Sequence, residues 1–153
     1  MKRGIRTILL SSLLGIMLLS CQSRTVYSHF EDVLVAGWSK DSVYAFDYAI
    51  ADSMAHYQVL IYLRHTEMYP YQNMWLFVGD GVQQDTIEFY LANDRGEWLG
   101  NGKSGMIEMP VLYEENRLYA HTGTYRITLQ QGMREDCLRG VASVGVEIVR
   151  LDE

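Results

Sequence analysis

The sequence predicts an all-β domain, an antiparallel β-sandwich of the immunoglobulin-like or jelly-roll-like kind. Three observations point there. Apolar and polar residues alternate with period two in several short runs, the pattern of strands with one face in a core. Turn signals separate these runs at intervals of roughly ten residues. Aromatic side chains are abundant, with 11 Tyr, 4 Phe and 3 Trp among 153 residues, and they suit a pleated, half-buried surface. A composition of 48% hydrophobic and 21% charged residues fits one compact domain rather than a disordered or fibrous chain.

The first segment belongs to export rather than to the fold. Lys2, Arg3 and Arg6 precede an apolar stretch over residues 7–20, a charged region followed by a hydrophobic one, as in a signal peptide. The stretch is shorter than the roughly 20 residues a membrane-spanning helix needs. Leu18-Leu19-Ser20-Cys21 closes it, which makes Cys21 the expected cleavage and lipidation site of a lipoprotein. The competing reading is an uncleaved or differently cleaved signal with Cys21 a bystander. Diacylglycerol on the sulfur, with acyl chains such as palmitate, would bar Cys21 from a disulfide with Cys137. Two or more chains anchor a protein stably where one binds reversibly. Gln22 and Ser23 follow without an Asp directly after the cysteine, so outer-membrane delivery is expected, with the leaflet open. The expected organisation is a signal peptide over 1–20, a lipidated tether over 21–28 and a β-sandwich over 29–153.

Removing residues 1–20 leaves 10 Lys+Arg against 19 Asp+Glu, a formal charge of −9. A phosphate-tracking protein needs a cationic face, so no nucleic-acid partner is expected.

In residues 43–50, Tyr44, Phe46, Tyr48 and Ile50 share one face, which predicts a strand. Residues 57–64 place Tyr57, Val59, Ile61 and Leu63 together with Leu60 and Tyr62 opposite, as in a strand buried on both faces. Residues 74–78 and 86–91 flank Gly79-Asp80-Gly81 and predict a hairpin. Residues 95–105 are glycine-rich and predict an exposed loop around Trp98 and Leu99. A strand over 106–113 is confined to an edge or bulge by Pro110. Residues 123–130 alternate most clearly, with Tyr125, Ile127 and Leu129 inward, and Val144, Val146 and Ile148 repeat the pattern. Short helical turns are allowed at 53–56 or 132–137.

Chemistry finds little support. His29, His56, His65 and His121 form no HxxxH, and no CxxC occurs, so no metal site or other cofactor is expected; His65 reads as a surface or hydrogen-bonded residue. Glu114 and Glu115 diverge on an extended segment and cannot act as a pair. Asn93-Asp94-Arg95-Gly96 lacks the ligand spacing of a calcium loop. No phosphate loop, nucleotide fingerprint or nucleophile elbow is present. Cys137 follows Glu135 and Asp136, acidic neighbours that work against a reactive thiolate. No enzyme activity is expected. The remaining hint is aromatic: Tyr69, Tyr71 and Asn73 in one segment and Trp98 beside glycines could stack on a sugar or peptide, or plug an end of the sandwich.

An ordered series of segments resembles the gliding-motility lipoprotein GldH family of Bacteroidetes-type bacteria. They are GWSKD at 37–41, RHTEMYPYQN at 64–73, DTIEFYLAN at 85–93 running into GEWLGNG at 96–102, GTY at 123–125 through QQGMR at 130–134, and LRGVASVGV at 138–146. With Cys21 they cover about two fifths of the mature chain. His65, Gly132 and Ser143 depart from the Asn, Ala and Asp usual in the family. The resemblance implies a non-catalytic outer-membrane lipoprotein linked to gliding and to the type IX secretion apparatus, an accessory or scaffolding part with envelope protein partners. The rival is a surface glycan- or peptide-binding module. On either reading the candidate interaction surface is Trp98, Tyr69, Tyr71, Asn73 and Arg134.

Overall fold

The computed structural model describes residues 24–151; Cys21 and the expected signal peptide lie outside the described residues. The strands are β1 (Thr25–Asp32), β2 (Trp38–Ser39), β3 (Val43–Ile50), β4 (Tyr57–Thr66), β5 (Asn73–Gly79), β6 (Gln84–Tyr90), β7 (Asn101–Lys103), β8 (Met106–Arg117), β9 (Gly123–Gln131), β10 (Cys137–Leu138) and β11 (Val141–Arg150). They build a five-stranded sheet in the order β1-β11-β4-β8-β7, a four-stranded sheet in the order β3-β9-β5-β6, and a small ribbon of β10 with β2. All of these pairings are antiparallel. The fold is the all-β sandwich that the alternation predicts.

Period two explains how the sheets face each other. On β11, Val144, Val146 and Ile148 point inward and sit opposite Leu63, Ile61 and Val59 of β4, all fully buried. On the other sheet Phe46 is opposite Ile127, Leu129 opposite Val78, and Met74 opposite Phe89. Rings bridge the sheets where edges meet: Tyr27 lies 5.7 Å from Tyr48, and His29 lies 6.3 Å from Phe46. Each such side chain contributes about 1.5–3 kcal/mol when fully buried.

Several expectations change. The outward residues of β4, Leu60 and Tyr62, are half-buried rather than buried, because no layer covers that face. Residues 95–105 are not simply an exposed loop: Trp98 bridges Ala92, and β7 pairs with β8. The glycines there permit close approach, since a Cβ on Gly100 would collide with the Glu108 carbonyl. Residues 25–28, expected in the tether, form the first half of β1. Of the two readings of His65 the hydrogen-bonded one holds: it is fully buried and its ring bonds the Thr66 carbonyl. Pro110 keeps its edge role: β7 pairs only with Met106, Ile107 and Glu108, so the outer side of β8 is open where proline cannot donate.

The registers sort the connections onto two ends. The start of β1, the end of β11 and the connections 51–56, 80–83 and 118–122 share one end. The connections 33–37, 67–72, 91–100 and 132–136 share the other, where the β2–β10 ribbon sits and Trp38 is fully buried, its Nε1–H donating to the Ser42 carbonyl at 3.0 Å.

Ile127→Ala is expected to cost about 2–5 kcal/mol and Thr128→Ala less than about 1 kcal/mol, read from denaturant melts. Equal effects would mean that β9 presents the other face to the core.

Candidate functional site

Where β9 ends, a buried amide shapes the chain. Gln131 points inward at 2% exposure; its Nε2–H donates to the Glu135 carbonyl at 2.7 Å, and its Oε1 accepts from the Met133 N–H at 2.8 Å. One side chain thus satisfies both arms of the 132–136 loop, which would otherwise leave backbone groups unpaired. The Gly132 N–H donates to the Trp75 carbonyl at 2.7 Å, laying the loop against β5. The loop is tied on both flanks. The Tyr71 hydroxyl donates to the Glu135 carboxylate, which raises the tyrosine's pKa, and Lys40 holds Asp136 at 2.5 Å.

Between this loop and the start of β5 lies a groove of about 500 Å³, lined by Tyr71, Asn73, Trp75, Gly132, Met133 and Arg134. Trp75 takes an outward position of β5 and stays 37% exposed, its backbone N–H donating to the Met133 sulfur at 3.3 Å. The Asn73 amide donates to Glu88 at 2.6 Å. Arg134 is exposed, and among the described residues its guanidinium has neither a hydrogen bond nor an ion pair. The groove is therefore an apolar floor with a free cation on its rim.

Tyr71, Asn73 and Arg134 of the sequence-derived surface meet here. Tyr69 does not present a face: it is 3% exposed, its hydroxyl donating to the Asn73 carbonyl at 2.8 Å, and burial pushes its pKa up. Trp98 is half-buried and packs against the core, its ring 4.7 Å from that of His65. His65 in turn lies 5.6 Å from Tyr69, and Tyr69 lies 6.1 Å from Tyr71. Trp98 thus joins the groove only through buried rings. The sequence reading passed over Trp75 and Met133, although the inward positions of Met74, Leu76 and Val78 already direct Trp75 outward.

The GldH lipoprotein family model matches residues 25–148. The gliding motility lipoprotein GldH of Flavobacterium johnsoniae is 32% identical over 92% of this chain and 94% of its own, and a GldH homolog of Christiangramia forsetii is 32% identical over 90% and 91%. The chain belongs to the GldH lipoprotein family. Among solved structures, dimeric latent PorU from Porphyromonas gingivalis aligns over 88% of this chain and 14% of its own with 8% identity and a TM-score of 0.39, too low to bear on function. Membership in a lipoprotein family implies a membrane-anchored location in the cell envelope. Several of the segments by which the sequence resembles GldH proteins reach the groove end: 64–73 enters β5, 96–102 carries Trp98, 130–134 forms the loop, and 37–41 with 138–140 forms the ribbon and its turn, whereas 123–125 opens β9 at the other end. Gly140 is one reason they fit. Its φ of +83° suits glycine, and a Cβ there would sit 2.5 Å from the Tyr69 backbone nitrogen.

His65 gives this GldH-family domain a pH dependence. Its Nδ1–H donates to the Thr66 carbonyl at 3.1 Å, since a carbonyl can only accept, so Nε2 is buried without a partner. Burial holds the imidazole below its ordinary range, partly opposed by the Thr66 bond. The unfolded chain takes up this proton at higher pH than the folded one, so stability is full above about pH 6.5 and falls as pH drops below it. Compared with His65→Asn, the wild-type domain is expected to lose up to about 1.4 kcal/mol more per pH unit below that point; parallel stability curves would remove His65 as the cause. Trp98→Ala is expected to cost about 2 kcal/mol because it removes a half-buried indole packed against the core, measured by thermal melting.

Proposed function

We propose that the protein is a non-catalytic accessory or scaffolding component of the gliding-motility and type IX secretion machinery, held at the outer membrane by lipid on Cys21 and engaging an envelope protein partner through its groove. The observation that carries the second half is the groove: open apolar side chains beside the free Arg134, at the end that the GldH-like segments 64–73 and 130–134 build. A protein segment suits it better than a glycan. The polar groups a sugar would use are already engaged, Tyr71 with Glu135 and Asn73 with Glu88, whereas Trp75, Met133 and Arg134 are the side-chain types that dominate protein interfaces. An apolar side chain next to a carboxylate would fill the groove and neutralise the arginine.

Trp75→Ala and Arg134→Glu are expected to change stability by less than about 1 kcal/mol, yet to reduce spreading or secretion in cells and to abolish photo-crosslinks from position 133 to a partner protein. Normal function in both variants would reject the groove. Cys21→Ala is expected to leave the domain folded but move it out of the membrane fraction; a variant that still sediments with membranes after a high-salt wash would show that lipid is not the anchor.

A further inference from the structure

We infer that the domain stands on the membrane on one particular end, with Met54, Val82 and Leu118 seated in the bilayer interface and the groove held away from it. The inference rests on lipidation of Cys21 as proposed above. It starts from the reach of the chain. Thr25 opens β1, four residues after Cys21, so even a fully extended connection spans no more than about 14 Å. Whatever lies around the start of β1 is therefore kept against the surface that holds the lipid.

Three connections share that end, and hydrogen bonds and ion pairs tie them together. The Arg150 N–H donates to the Arg24 carbonyl at 2.8 Å, and the Leu151 N–H donates to the His56 carbonyl at 2.8 Å. The His56 ring is bonded to Asn116, and Arg117 reaches Asp80 at 3.4 Å and Glu114 at 2.7 Å. Each connection puts an aliphatic side chain outward: Met54 is 82% exposed, Val82 88% and Leu118 58%. Charges here are largely matched internally, Arg150 with Asp52 at 2.7 Å and Arg117 with its two acids; Arg24, Asp85 and Glu115 are exposed, and Asp85 accepts from the Tyr113 hydroxyl. Aliphatic tips without a cationic cluster fit the boundary between headgroups and acyl chains rather than binding by charge. The opposite end also exposes Leu34, Val35 and Met68, but β1 alone separates the two ends by about 26 Å, beyond the reach of the tether.

The test uses the lipidated full chain in phosphatidylcholine vesicles. Cys137→Ser removes the exposed thiol while keeping a donor to the Ala36 carbonyl, and single cysteines at 54, 82, 118, 112 and 35 carry a nitroxide. The expected result is that labels at 54, 82 and 118 collide more with oxygen than with a water-soluble nickel chelate, at low and at high salt, while labels at 35 and 112 show the reverse. A protein that floats with the vesicles but has aqueous labels at 54, 82 and 118, or a buried label at 112, overturns the seating and leaves the anchor intact. A protein that fails to float overturns the anchor and the seating with it.

Discussion

The register between β4 and β11 is the constraint on which the rest of the molecule depends. Val59, Ile61 and Leu63 meet Ile148, Val146 and Val144 across the middle of the larger sheet. A slip of one residue would turn all three valine and isoleucine side chains of β11 outward and bring Glu147 into the core, so the pairing has no near alternative. Once this ladder is set, β1 and β8 dock on its two sides, and the direction of every strand decides at which end each connection emerges. The groove, the chain entry and the β2–β10 ribbon are consequences of that sorting.

The polar groups inside follow a common logic. Gln131 spends both halves of its amide on the loop it precedes, and Tyr69 and Trp38 each place one donor on a backbone carbonyl. Buried polar atoms satisfied in this way fix a single arrangement of a loop that apolar packing alone would leave degenerate. His65 Nε2 is the exception among the described residues. It sits between Trp98 and Tyr69, and the half-buried indole is part of its cover.

Much of the fold could be read from alternation, because strands such as β9 have polar residues at each outward position and the period is short enough to see in one segment. The expectation of lipidation at Cys21 likewise rests on a local signal. The groove is not: Tyr71 to Trp75 and Gly132 to Arg134 are far apart in sequence, and only the adjacency of β5 and β9 unites them. The aromatic cluster around Tyr69 drew attention because its residues are neighbours in the chain, yet burial removes Tyr69 from the surface. Glycines misled in a similar way. In residues 95–105 they mark close approach of two backbones at Gly100 and Gly102 rather than freedom, a distinction that depends on what lies opposite.

The place of β1 at the edge of the larger sheet has a mechanical meaning. On the proposed anchoring its first residue faces the lipid, and its last lies at the end with the groove. A load applied between membrane and bound partner would run along the strand axis and shear the whole β1–β11 ladder, from Thr25 opposite Val149 to Asp32 opposite Ser143, rather than peel it one rung at a time. All its hydrogen bonds would resist together. The Phe30 ring adds a catch, lying over Gly145 with the Arg64 guanidinium 3.7 Å above it. Had the chain entered from the opposite end, the same pull would unzip the edge strand, and the domain would be a weak link between envelope and machine.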